Sequence, residues 1–281
     1  MLRLLSAGLN RLIKDKVFWV LLIATFVLSG AFMLYSCWDA TRMISNQFAS
    51  PGDYSLDLFY FRLAPFIALL QAIFISLFIG TEYSEGTLRN KIIVGLTRAQ
   101  IYLSNYLVCL FVSLFFVAAW FCGGLLGIPF VGGFQMGAAD LLPCLLIIVF
   151  FVAAWTSIIT TLCMLLSNKA LAAVLALALV LGLVVASSLT YNALAESEMT
   201  SGILITQAGM EMIDPEPNPR YISGPLRSVL EFTLDVLPSG QSFLVLYLEI
   251  SRPILMLASS AVVSLATILA GIQIFRRKNL N

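Results

Sequence analysis

Six stretches of this chain are apolar for about as long as a helix needs to cross a bilayer, which is about 20 residues. They fall at roughly 17–36, 63–81, 101–122, 143–166, 170–190 and 253–275. The fourth and fifth are separated only by Ser167, Asn168 and Lys169, which predicts a tight helical hairpin. Residues 1–16, MLRLLSAGLNRLIKDK, are too polar to span. At 100° per residue Leu2, Leu5, Leu9, Leu12 and Ile13 share one narrow face, Arg3, Asn10, Arg11 and Lys14 lie opposite, and Leu4 alone breaks the pattern, so an amphipathic interfacial helix is expected. The first span is too long in its apolar core for a cleavable signal peptide and has no small-residue cleavage site after it.

Two connections are more than polar spacers. In residues 82–98, Gly86-Thr87 supplies a break and an N-cap, and LRNKIIV then gives about two turns with Leu88, Ile92 and Ile93 on one side. Gly95 ends that helix, and Thr97 with Gln100 forms a Thr-x-x-Gln capping box at the start of the third span. The segment 191–252 contains DPEPNPR, whose alternating prolines at 215, 217 and 219 forbid helix. After it, GPLRSVLEFTLDVLPSG opens on Pro225, a good first helical residue, and ends at Pro238 and Gly240. Its apolar face is wide enough to require burial in protein or lipid. The pattern as a whole reads as an all-α polytopic membrane protein, one transmembrane domain over 1–281.

Composition agrees with that reading: 60% of the 281 residues are hydrophobic and 11% charged, against about 25% charged in soluble domains. Charge placement sets an orientation. With the N-terminus inside, the inside segments hold Arg3, Arg11, Lys14, Lys16, Arg89, Lys91, Arg98, Lys169, Arg276, Arg277 and Lys278, leaving five of the sixteen Lys and Arg outside. Only Asp15, Glu82 and Glu85 of the acids lie inside. The positive-inside rule therefore places both termini and residues 82–98 in the cytoplasm.

The chain has no histidine, which removes histidine triads and HExxH zinc sites. Its five cysteines contain no C-x-x-C pair and read as small buried hydrophobes. The span interiors hold no Asp, Glu, Lys or Arg, against an ion-coupled transporter or an intramembrane aspartyl protease. Polar groups in the spans are mild. Gln71, Ser76, Thr156 and Thr160 read first as helix-packing groups and, functionally, as an uncharged substrate path. Gly123 and Gly127 form a GxxxG suited to close packing. No G-x-x-x-x-G-K-[ST] phosphate loop occurs, so any ATP-derived energy must arrive through a partner.

Gly80-Thr81-Glu82-Tyr83, then Glu85-Gly86-Thr87-Leu88-Arg89, then Thr97-Arg98-x-x-Ile101-Tyr102, resemble the ABC-2 type permease family of ABC transporters. The six-span layout, interfacial N-terminal helix and long last outer loop resemble it too, with the bacitracin- and lantibiotic-export branch the nearest. Two positions depart from it: Gly95-Leu96 where many members have proline, and Asn105 where many have lysine. The resemblance implies that residues 82–98 are a coupling helix seated in a groove of a separate ATP-binding subunit, with Glu82, Glu85, Gly86, Thr87, Leu88, Arg89 and Arg98 transmitting its closure. It implies a second permease subunit, identical or homologous, in a bacterial plasma membrane. ATP and magnesium would sit in the partner; this chain would hold no cofactor, have no catalytic activity of its own and bind no nucleic acid. The expected function is export of an apolar or amphipathic molecule such as a peptide antibiotic, a lipid-like compound or a drug. The competing expectation is a membrane interaction or immunity protein that transports nothing.

Overall fold

A computed structural model describes residues 2–46, 50, 54–200, 203–206, 209–212 and 215–278. Its helices are α1 (Leu2–Lys14), α2 (Lys16–Ser45), α3 (Leu56–Tyr60), α4 (Ile67–Ser84), α5 (Thr87–Ile93), α6 (Arg98–Gly124), α7 (Ile128–Val131), α8 (Ala138–Leu165), α9 (Lys169–Ala195), α10 (Pro225–Val236), α11 (Pro238–Leu246) and α12 (Pro253–Arg277). Among the described residues six helices are long and apolar enough to cross a membrane, built on α2, α3–α4, α6–α7, α8, α9 and α12. Most run past the apolar stretches that predict them. α2 continues nine residues beyond 36, through Asp39 and Arg42, and α8 begins five residues before Pro143, which it holds in its interior. The hairpin between α8 and α9 turns at 166–168, where the Asn168 side chain caps α9 by accepting from the amides of Ala170 and Leu171.

α8 is the centre of the bundle, packing against α12, α4 and α6, while α2 packs on α6 and α9 on α4. Hydroxyls and amides tie these seams, as expected where lipid gives helices no hydrophobic drive to associate. Gln71 Nε2 donates to the Val152 carbonyl at 3.0 Å and to Thr156 Oγ1 at 2.9 Å, and Thr156 donates on to Ser113 at 3.0 Å. Tyr102 and Thr161 share a 2.6 Å bond, and Thr267 donates to Ser157 at 2.7 Å, closing the α6–α8–α12 contact.

Gly123 and Gly127 serve packing within the chain. A Cβ on Gly123 would lie 2.6 Å from the Phe26 carbonyl oxygen and 2.9 Å from Ser29 Cβ, so α2 and α6 touch backbone to backbone; Gly127 meets the Met33 side chain. Gly123→Ala is therefore expected to destabilise the protein by about 1–3 kcal/mol. Gly182→Ala, at a helix position with open space around it, should be neutral or mildly stabilising. Unfolding of both variants in the same detergent micelle measures the difference.

α1 departs from the expected face. It packs on α6, with Leu4 and Leu12 buried and Gly8 close against Val108, whereas Ile13 is 60% exposed. Contact with protein, not a flat apolar boundary, decides which residues turn inward, so Leu4 fits and Ile13 does not. The Leu2 side chain lies outside the described residues. Four of the cysteines are buried as expected, but Cys122 is exposed.

The segment after α9 differs most. Two small antiparallel pairs form, β1 (Met199–Thr200) with β4 (Glu216–Pro217) and β2 (Ile203–Thr206) with β3 (Gly209–Met212). Asp214, in the proline-rich stretch, lies outside the described residues. The single helix expected before the last span is two. α10 stops at Val236, Pro238 restarts the chain as α11, and the pair is bent by 94°. Gln241 locks the bend from a fully buried position, donating to the carbonyls of Asp235 (2.8 Å) and Met256 (2.9 Å) and accepting from Ser260 (2.7 Å). α10 turns its charged side inward, with Asp235 buried and paired to Arg252 at 3.4 Å, and leaves Leu226, Val229 and Phe232 exposed.

Candidate functional site

One face of the bundle, the near face, gathers the ends of α1, α4, α8 and α12 and the starts of α2, α6 and α9. Four consecutive residues at the end of α4 contact most of them. Gly80 lets α9 approach: a Cβ there would lie 2.6 Å from Lys169 Cγ and 3.3 Å from its Cα. Thr81 accepts a 3.0 Å bond from Lys169 Nζ. Glu82 is buried, and Oε1 takes Arg11 of α1 at 2.7 Å and Lys91 of α5 at 2.5 Å, while Oε2 accepts from Asn105 of α6 at 2.7 Å. Tyr83 donates its hydroxyl to the Met164 carbonyl near the end of α8 and accepts from Lys278, just past α12, at 2.8 Å. The Gly-Thr-Glu-Tyr stretch is therefore a hub reaching α1, α5, α6, α8, α9 and the segment after α12.

The charge balance at the hub favours this arrangement. A buried carboxylate is costly unless paired and hydrogen-bonded. Glu82 has two cations and an amide, and each cation remains about a quarter exposed, at 29% for Arg11 and 24% for Lys91. Arg11 is further held by the Phe78 carbonyl at 2.7 Å and by the Phe78 ring 4.2 Å away. Asn105 stands where the family resemblance leads one to expect a lysine, and it serves Glu82 as a neutral donor.

α5 hangs from this hub. Gly86 enters it with φ +68° and Gly95 leaves it with φ +94°, both left-handed values that favour glycine. Gly86 is itself the N-cap, and its conformation takes the place expected of Thr87; the Thr87 hydroxyl instead donates back to the Glu82 carbonyl at 3.1 Å. Leu88 is 2% exposed and anchors the helix, with Ile92 packed alongside it. Ile93 does not share that face, because a step of 100° from Ile92 carries it outward, and both Ile93 and Val94 are 80% exposed. Glu85 and Arg89 are exposed on the same projection. Thr97 and Gln100 make the expected capping box.

Arg98, the first residue of α6, reaches the far end of the chain. Its guanidinium donates to the carbonyls of Phe275 (3.2 Å) and Arg276 (3.0 Å), and to that of Lys278. These carbonyls lie at and just past the end of α12, where the helix dipole also favours a cation, and that of Phe275 additionally accepts from the Lys278 amide. Lys278 returns the connection, with its ammonium 4.3 Å over the Tyr83 ring and 3.2 Å from the Met164 carbonyl. Burial pushes Lys278 down to about 8 from its ordinary 10.5. Between those two pH values the folded protein binds fewer protons than the unfolded chain, so stability rises with pH through that window. The melting temperature of the wild type minus that of Lys278→Met is accordingly expected to increase from pH 8 towards 10.

The expected path residues lie elsewhere. Gln71, Ser76, Thr156 and Thr160 are all fully buried in the middle of the bundle, and Gln71 and Thr156 bond to each other across the α4–α8 seam. Sequence reasoning missed Arg11, Lys91, Tyr83, Asn105, Lys169 and Lys278 as site residues. Asn105 had the clearest signal, as a lone amide at the fifth position of the apolar run 101–122.

Comparison with known proteins agrees with the geometry. A family profile described as ABC-2 family transporter protein matches residues 4–185, from α1 through most of α9 and including the whole hub except Lys278. No individual curated protein matches the chain. With about two thirds of its length covered by that profile, the chain belongs to the ABC-2 transporter family and is a membrane-spanning permease subunit of an ABC transporter.

Proposed function

We propose that this permease works in an ATP-driven exporter, with a separate ATP-binding subunit seated on α5 and the Glu82 hub passing its movement to the spans. The supporting observation is that an exposed apolar knob, Ile93–Val94, sits on a helix anchored by buried Leu88 and tied to Glu82 twice, by Thr87 at its main-chain carbonyl and by Lys91 at its buried carboxylate, which also holds α1 and α6. Rigid linkage of a docking element to several span ends is what conversion of subunit closure into a change of bundle state requires. Glu85, Gly86, Arg89 and Arg98 complete the transmitting surface. The near face is cytoplasmic in this reading, with both termini inside, as the basic residues along the chain favour.

The substrate is an apolar or amphipathic molecule of the peptide-antibiotic, lipid-like or drug class, consistent with the bacitracin- and lantibiotic-export branch. The lack of any Asp, Glu, Lys or Arg inside the six apolar runs supports an uncharged path. Gln71, Ser76, Thr156 and Thr160 would line it once α4 and α8 part. A second permease subunit would cover part of the exposed apolar faces of α2, α9 and α12. Purification of the full chain from its native membrane in mild detergent tests the reading. An ATPase subunit with a phosphate loop should accompany it in near-equal amount and hydrolyse ATP. Isolation of the chain with no such subunit and no ATPase activity would favour the non-transporting alternative.

A further inference from the structure

At the elbow between α1 and α2 a cavity of about 660 Å³ opens on the near face. Arg11, Lys14, Lys16 and Lys169 converge on it from three elements, against Asp15 and Glu85. Several of these groups are already engaged. Asp15 caps α2 by accepting from the Val17 amide at 2.8 Å, Arg11 is held by Glu82, and Lys169 donates, among the described residues, to the neutral Thr81 hydroxyl. Lys14 and Lys16 pair with no acid among the described residues. The cavity therefore has cationic capacity to spare. The α2 N-terminus, where the helix dipole adds positive potential, opens onto the same space.

The wall below is apolar. Val17, at the start of α2, and Leu77, within α4, line the cavity where these two helices run into the bundle. From Leu77 the partly exposed residues of α4 recur at Ile73, Leu70 and Leu69, with Phe66 exposed at the far end, a stripe on one side of an otherwise buried helix. The stripe ends in a second cavity of about 420 Å³, lined by Thr25, Leu28, Phe66, Leu70 and Trp120. Phe66 and Leu77 are about 16 Å apart along the helix at its usual rise, within reach of an ordinary acyl chain. A basic cavity joined to an apolar groove of that length has the shape and polarity of an amphiphile with an anionic head.

We infer that the elbow cavity binds the phosphate headgroup of an anionic phospholipid of the inner leaflet, with one acyl chain along the α4 stripe. The inference rests on the cytoplasmic placement of the near face proposed above. Basic clefts between spans on that side recognise anionic headgroups, with each nearby cation contributing about a five-fold gain in affinity. The lipid would wedge α1 and α4 in register beside the Glu82 hub.

Native mass spectrometry of the full-length protein tests this, using phosphatidylglycerol and phosphatidylcholine of identical acyl chains and no ATPase subunit or nucleotide. One phosphatidylglycerol is expected to stay bound where phosphatidylcholine dissociates. The Lys14→Gln/Lys16→Gln variant, changed only at exposed positions, should weaken phosphatidylglycerol about 25-fold and leave phosphatidylcholine adducts unchanged. Equal retention of the two lipids, or undiminished phosphatidylglycerol binding by the variant, would overturn the inference. Displacement of phosphatidylglycerol by millimolar glycerol phosphate would assign the cavity to a free phosphate compound instead, and loss of the adduct when the chain dimerises would assign the groove to a second copy. Because no ATPase is present, failure here leaves the docking role of α5 standing.

Discussion

Substitution of both Ile93 and Val94 by aspartate is expected to abolish binding of the ATPase subunit while the permease itself stays folded. Both side chains are 80% exposed, so neither contributes much to the bundle, and surface changes of this kind usually move stability by less than about 0.5 kcal/mol. In a partner groove each would bury most of its surface, at about 1.5–3 kcal/mol per side chain. Two adjacent losses, with two carboxylates left to desolvate, amount to at least a hundred-fold weaker association. Size-exclusion chromatography of permease mixed with ATPase subunit reads the loss, and an unchanged melting temperature of the permease alone shows that the fold has survived. The neighbouring change Leu88→Asp should behave oppositely: Leu88 is 2% exposed, so a buried charge there would damage the fold as well as docking.

Replacement of Glu82 should have the largest effect of any single change on the near face. Removing one partner of a buried charge pair costs about 3–5 kcal/mol. Arg11 and Lys91 are about a quarter exposed and can turn partly to water, which brings the expected loss for Glu82→Gln to about 2–4 kcal/mol. Glutamine keeps the volume and one acceptor for Asn105 but no longer neutralises two cations. Glu82→Lys would set a third cation beside them, and that protein should fail to accumulate in the membrane. Lys91→Met is the milder test: it cuts the tether to α5 while Arg11 and Asn105 still hold the carboxylate, so it should melt within about 1 kcal/mol of the wild type. In complex with the ATPase subunit it should leave that subunit's ATP hydrolysis in place while the response of the spans weakens. Thermal unfolding of the four proteins side by side would order them as wild type, Lys91→Met, Glu82→Gln, with Glu82→Lys unrecoverable.

The membrane architecture was legible in the sequence because its cause is local. A long apolar run is itself the condition for crossing lipid, and the six runs became six helices. Caps set by nearest neighbours were equally readable, as Thr97–Gln100 illustrates. Boundaries were less so, because helices here continue past the apolar zone: α2 carries Asp39 and Arg42 into the polar region without breaking. The α10–α11 bend depends on Gln241 meeting carbonyls of α10 and α12, contacts no local pattern reports. Pro238 marked the break but read as an end, since proline serves both as a stop and as a first helical residue.

The hub was half legible. Glu82 and Arg98 stood out as charges between apolar runs, but charge alone did not separate the buried Glu82 from the exposed Glu85 three residues on. Their difference is one of depth: Glu82 lies within the last turn of α4, packed between α1, α5 and α6, whereas Glu85 is the C-cap residue beyond that turn, exposed at the rim of the cavity beside α1. The partners Arg11 and Lys278 lie 71 and 195 residues from the residues they bind. Neither pairing is encoded in spacing; each exists because antiparallel spans return the chain to the same face.

The central claim, that the Glu82 hub carries movement of the docked ATPase into the spans, is tested most directly by an ATP-dependent distance change. Spin labels at the exposed positions Tyr35 of α2 and Leu189 of α9 would be measured in the reconstituted complex, with and without ATP. The wild type should show two distance populations whose ratio shifts with ATP. Glu82→Gln, with the ATPase bound as tightly as in the wild type, should show one population that ATP leaves unmoved. An undiminished shift in Glu82→Gln would contradict the account.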